Sequence, residues 1–171
     1  MCNWRRVAWA VVLMTAASAA KLNGQAAGID AIEAYKGTWK AEIEHFDTAR
    51  SKAGKESSTV RNECWKSGGF YACDQFVNGE SKALIVFTYN DKDKTYTTYP
   101  IMPGGGEAGK GKLVIEGNVW TYPWETTQNE KTTYFRVVNT FTAPNKIEYR
   151  QEFSTDRQNW TLMAKGSEMK E

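Results

Sequence analysis

The sequence predicts an all-β protein: a single antiparallel up-and-down β-barrel of about ten strands, preceded by a short N-terminal helix. Three observations carry that expectation. About ten short runs of alternating apolar and polar residues follow one another from Gly37 to the C-terminus, each closed by a turn signal. The links after the first run are mostly of hairpin length, so neighbours in sequence should be neighbours in the sheet. Two cysteines, Cys64 and Cys73, flank a Gly68-Gly69 turn symmetrically. Strands with one apolar face must bury it, and a meander this long does so most simply by closing on itself.

The elements follow in order. Residues 26–35 read as a short helix or irregular lead-in, with Ile29, Ile32 and Tyr35 at helical spacing. The first strand begins near Thr38, with Trp39, Ala41 and Ile43 on one face and Lys40, Glu42 and Glu44 on the other. Residues 47–57 form a polar loop, and the next two strands, about 58–66 and 70–77, make the cysteine hairpin. With a two-residue turn at its centre, Cys64 falls opposite Cys73 on a non-hydrogen-bonded pair, where the Cα atoms approach most closely and a disulfide fits. Strand four, 83–89, is apolar on both faces; strand five, 95–101, ends before Pro103. After a glycine loop at 104–111 come strands at 112–116 and 119–125, joined by Gly117-Asn118. Strand eight spans 132–142. Strand nine alternates most cleanly, with Ile147, Tyr149, Gln151 and Phe153 against Lys146, Glu148, Arg150 and Glu152, the second set expected to be exposed. The last strand is expected to place Trp160, Leu162 and Ala164 on one inward face.

The N-terminus reads as an address rather than a part of the fold. Arg5 and Arg6 precede an apolar stretch at 7–16, and Ala17-Ser18-Ala19 is a small-residue cleavage site. Residues 1–19 are therefore expected to be a secretory signal peptide, 20–36 a lead-in with the short helix, and 37–171 the barrel. Export to a periplasmic or extracellular space follows, and such a space favours the Cys64–Cys73 disulfide. Cleavage would leave no integral membrane segment. Loss of Arg5 and Arg6 would leave 20 basic residues against 20 acidic, with no basic stripe for nucleic acid. About 150 remaining residues suffice for one core, and a monomer is expected.

Gly37-Thr38-Trp39 opens the first strand. With the meander that follows, the chain here resembles the calycin superfamily: lipocalins, fatty-acid-binding proteins and nitrobindin-like barrels. It also looks like small exported bacterial families of this shape without an assigned function. The resemblance spans about residues 35–170 and implies a barrel of eight to ten strands around a ligand site. It makes Gly37 and Trp39 structural, with Trp39 closing one barrel end. The basic residue that packs on this Trp in the family has no assignment from the sequence.

No catalytic constellation and no metal-ligand cluster stands out, and no cofactor is expected. Gly104, Gly106 and Gly109 fit G-x-G-x-x-G, but a strand pattern follows where a phosphate-binding helix is required. The loop reads instead as a flap at a barrel mouth. His45, the single histidine, lies at the end of strand one and not on the late strand a haem ligand would need. No G-x-S-x-G elbow accompanies it. Glu63 and Asp74 fall opposite each other in the cysteine hairpin, with Arg61 diagonal to Asp74; a solvated, self-compensated patch is the simpler reading. Aromatic residues dominate the remainder. Trp120, Tyr122 and Trp124 alternate on one strand, and Tyr96, Phe135, Tyr149, Phe153 and Trp160 occupy others. They are candidates for the wall of a ligand site, with Gln151 or a tyrosine hydroxyl as polar anchor. The expectation is thus a non-enzymatic protein that holds a small apolar or amphipathic molecule in the barrel. The alternative is a filled barrel that engages another protein through loops or an exposed aromatic patch.

Overall fold

The computed structural model describes residues 28–104 and 109–171. The expected signal peptide, most of the lead-in before Gly28 and the middle of the glycine loop lie outside the described residues. A 3-10 helix, Gly28–Tyr35, leads into ten strands: β1 (Gly37–His45), β2 (Gly54–Ser67), β3 (Phe70–Val77), β4 (Glu80–Asn90), β5 (Thr95–Ile101), β6 (Gly111–Glu116), β7 (Val119–Gln128), β8 (Lys131–Ala143), β9 (Lys146–Ser154) and β10 (Thr161–Lys170). Each strand pairs with its neighbours in sequence, and β1 pairs with β10, so the sheet closes into one antiparallel barrel. This is the closed up-and-down barrel that the meander predicts. No helix among the described residues is long and apolar enough to cross a membrane.

β2 starts earlier than its apolar pattern suggests. Lys55, Glu56 and Ser57 pair with Glu44, Ile43 and Glu42 of β1, because ladder hydrogen bonds are made by the backbone whatever the side chains. The cysteine hairpin keeps the expected register, from Ser67 opposite Phe70 to Cys64 opposite Cys73. The two cysteines are joined by a disulfide with their Cα atoms 4.0 Å apart.

One end of the barrel is closed. The 3-10 helix lies over it, with Ala31 and Ile32 buried. The Trp39 indole N–H donates to the Tyr35 carbonyl (2.9 Å), and the Tyr96 hydroxyl donates to the Gly28 carbonyl (2.8 Å). Trp39, Cys64, Tyr71, Phe87, Leu113, Trp120, Phe141 and Ile147 form the core beneath it. The Lys170 ammonium lies 5.2 Å from the centre of the Trp39 ring. Lys170 is thus the basic residue on Trp39 that the sequence left unassigned. Gly37 is needed at this joint: its φ is +119°, and a Cβ there would press on the Lys170 side chain.

The seam between β1 and β10 depends on Gly166. A Cβ at that position would overlap the Glu42 carbonyl and crowd the Ile43 backbone. The two strands approach at this point because no side chain separates them.

Two expectations for the C-terminal strands require correction. The β9–β10 register shifts between Leu162 and Ala164, so a bulge moves these residues onto opposite faces. Trp160 then lies outside the barrel, with the Arg136 guanidinium 3.9 Å from its ring centre. Glu152 is on the outer face as expected but is buried, at 8 % exposure. Arg136 Nε donates to its carboxylate (2.6 Å), and Arg150 stands 3.9 Å away. Alternation reports the face a residue occupies, not whether neighbouring strands cover it.

Candidate functional site

The inward face is set by register, since directly paired residues share a side of the sheet. Above the closed core, Val60 and Asn62 of β2, Gln75 of β3, Ile85 of β4 and Thr98 of β5 face the barrel axis. Tyr122 of β7, Val137 and Asn139 of β8 and Glu168 of β10 face it from the other side. Together they line a cavity of about 360 Å³ that extends past Val77 and Pro100, away from the 3-10 helix. The volume lies within the range of small-molecule sites, roughly 300–1,000 Å³.

Tyr35 enters this space from the helix and organises its polar groups. Its ring packs edge-on against Trp120, with centres 4.8 Å apart, and against Phe141 at 5.9 Å. Its hydroxyl oxygen accepts from Asn139 Nδ2, and the Tyr35 and Tyr122 hydroxyls are hydrogen-bonded to each other. Asn62 Nδ2 donates to the Tyr35 carbonyl (3.3 Å), and Gln75 Nε2 donates to Asn62 Oδ1 (3.2 Å). Burial pushes the Tyr35 and Tyr122 hydroxyls well above the ordinary tyrosine value, so both stay protonated and serve as hydrogen-bond groups, not bases. The Tyr149 hydroxyl is pushed up to about 12 by burial, and then by the nearby Glu168 and Glu56 charges. Burial also raises the Glu168 carboxyl.

The aromatic candidates occupy different levels of the barrel. Trp120 is fully buried in the closed-end core, and Tyr96 is held there by its bond to Gly28. Tyr122 lines the cavity. Trp124 stands on the same face of β7 at the open end, 41 % exposed, and stacks on Phe135 with ring centres 5.3 Å apart. Phe135 continues to Phe153 at 6.4 Å, which makes an aromatic band across β7, β8 and β9 at the rim. Pro123 leaves the β7–β8 register unbroken, opposite Arg136. Gln151 faces inward on β9 and accepts from the Tyr149 hydroxyl (3.3 Å). Trp160 lies outside and shares none of this. The described ends of the glycine loop join β5 to β6 at the Trp124 end.

Glu63 and Asp74 are paired across the hairpin on the outer face, where Arg61 bridges to Glu63 and Ser81 donates to Asp74 (3.4 Å). His45 reaches Glu56 at 3.4 Å near the open end. Among the described residues, no three His, Cys, Asp or Glu side chains gather as metal ligands. A wider groove of about 780 Å³ runs along β8, β9, β10, β1 and β2. It is open, and several of its charges are already paired, including Lys165 with Glu44 (3.6 Å) and Lys146 with Glu148 (3.9 Å).

Of the cavity lining, only Tyr122 is among the ligand-site candidates read from the sequence; the polar groups Tyr35, Asn62, Gln75, Thr98, Asn139 and Glu168 were all missed. Glu168 carried a usable signal. It shares the phase of the small residues Ala164 and Gly166 on a strand whose opposite face holds Lys165 and Ser167.

No protein-family model matches the chain, and no curated protein matches it. Two solved structures are similar over most of its length. Rv2717c from M. tuberculosis is 10 % identical with a TM-score of 0.46, the match covering 86 % of this chain and 99 % of that one. The S-type phycobiliprotein lyase CPES from Guillardia theta is 10 % identical with a TM-score of 0.49, covering 82 % and 90 %.

Proposed function

We propose that this chain is an exported, non-catalytic binding protein that holds one small apolar or amphipathic molecule inside its barrel. The cavity of about 360 Å³ carries the reading. A barrel of this size can be filled entirely by side chains. Here the closed-end core is filled, and the level above it is open, with apolar walls and a small convergent set of polar groups. That combination is the ordinary form of a small-molecule site. Trp124, Phe135 and Phe153 would guide an apolar body past the rim. The Cys64–Cys73 disulfide supports export, since such bridges persist in oxidising compartments.

The test is native mass spectrometry of the folded protein after incubation with a lipid and metabolite extract. A single bound species at one per chain is expected; a chain that emerges without an adduct contradicts the reading. The alternative, a protein partner, draws on Trp65 and Phe70, which stand 47 % and 39 % exposed on the outside of the cysteine hairpin. Trp65→Ala and Phe70→Ala should then abolish partner capture and leave small-molecule binding intact.

A further inference from the structure

The polar groups around the cavity are unevenly answered. Several donors are engaged with one another: Asn139 Nδ2 gives its hydrogen to the Tyr35 oxygen, the Tyr35 and Tyr122 hydroxyls share a hydrogen bond, Asn62 gives to the Tyr35 carbonyl, and Gln75 gives to Asn62. Two acceptors stand out, one buried and one half-buried. Asn139 is 5 % exposed, and its Oδ1 is buried without a hydrogen-bond partner. Glu168 stands between Ala41 of β1 and Ile147 of β9, neither of which has a polar side chain to offer it. Burial alone perturbs its carboxyl, and no cation among the described residues pairs with it. The nearest cation on the same face of β10, Lys170, is committed to the Trp39 ring.

Buried acceptors without donors are rare in native proteins because each forfeits its hydration without replacement. A carboxyl and an amide carbonyl facing one cavity call for a guest that brings N–H donors, and positive charge suits the carboxyl best. An anionic head would meet the ionised Glu168 carboxylate as a like charge. Resting on the reading that the cavity is a ligand site, we propose that its ligand class is the amphipathic amine: an apolar body against Val60, Ile85 and Val137, with an ammonium head engaged by Glu168 and Asn139 Oδ1. The proton balance is simple. A neutral amine takes the Glu168 proton to form the ion pair, and an ammonium that binds the protonated carboxyl releases that proton to solvent.

Calorimetric titration of the mature protein with octylamine, octan-1-ol and octanoate separates head from body. Octylamine should bind about tenfold or more tighter than octan-1-ol, with octanoate weakest. Glu168→Gln should lower octylamine affinity about tenfold and leave octan-1-ol within about twofold. Equal affinity for all three probes, or preference for octanoate, overturns the amine assignment while the cavity reading stands. Absence of binding by any of the three removes the cavity reading and the assignment together. The ranking on the unaltered protein decides the matter even if Glu168→Gln fails to fold.

Discussion

Glu152 and Glu168 are two carboxyls in opposite circumstances, the first buried and the second half-buried. Glu152 is answered by Arg136 at 2.6 Å beneath the Trp160 ring, and Glu168 is unanswered inside the barrel. Glu152→Ala leaves Arg136 half-buried without its acceptor, so a loss of about 2 kcal/mol is expected in urea unfolding. A change below about 0.5 kcal/mol, the usual scale of an exposed site, would show that the pair contributes little. For Glu168 the effect depends on pH. Burial raises its carboxyl above the ordinary value of 4.5, so the folded state binds the proton more tightly than the unfolded chain. The resulting stability is complete below that ordinary value and is lost as pH rises through the raised one. Tyr35, Tyr122 and Tyr149 face this carboxyl and stay neutral over that range, so they do not confound it. The ligand-free protein should therefore melt progressively lower, relative to Glu168→Gln, as pH rises above 4.5. Parallel melting curves across that range would contradict a desolvated, unpaired carboxyl.

Among the elements, the hairpin of β2 and β3 was the most legible in sequence and the last strand the least. Two glycines and two cysteines set the hairpin register by local arithmetic, and the structure keeps that register with the disulfide in place. The bridge closes a short loop, so replacing both cysteines by serine should cost about 2–3 kcal/mol. Thiol labelling of the unfolded, unreduced protein should leave Cys64 and Cys73 unmodified in peptide maps. β10 resisted prediction because its bulge between Leu162 and Ala164 inverts the alternation partway along. The close contact at Gly166 was also hidden, since it exists only once β1 lies beside β10. Gly166→Ala should cost about 3 kcal/mol by forcing that seam apart. A neutral result would mean the strands can separate there without loss. Burial of Glu152 escaped for a related reason: its cover comes from Arg136 on β8 and from Trp160, which lies beyond the end of β9.

At the scale of the whole molecule, the fold was readable because alternation and short turns leave a long meander little choice but closure. The cavity was not. Whether aromatic residues fill a barrel or line a space depends on the level each one occupies, and levels follow from strand stagger. Trp120, Tyr122 and Trp124 look equivalent in sequence yet sit in the core, at the cavity and at the rim. The polar lining was still less visible, because Asn62, Gln75 and Asn139 acquire their roles only when Tyr35 arrives from the helix. The central claim is that an apolar guest enters the barrel. Methyl NMR during titration with octylamine tests it most directly. The Val60, Ile85 and Val137 methyls, which face the cavity, should shift and saturate together, while those of Val86 and Val114 on the outer face stay still. Shifts confined to Val86 and Val114, or none at all, would contradict the claim.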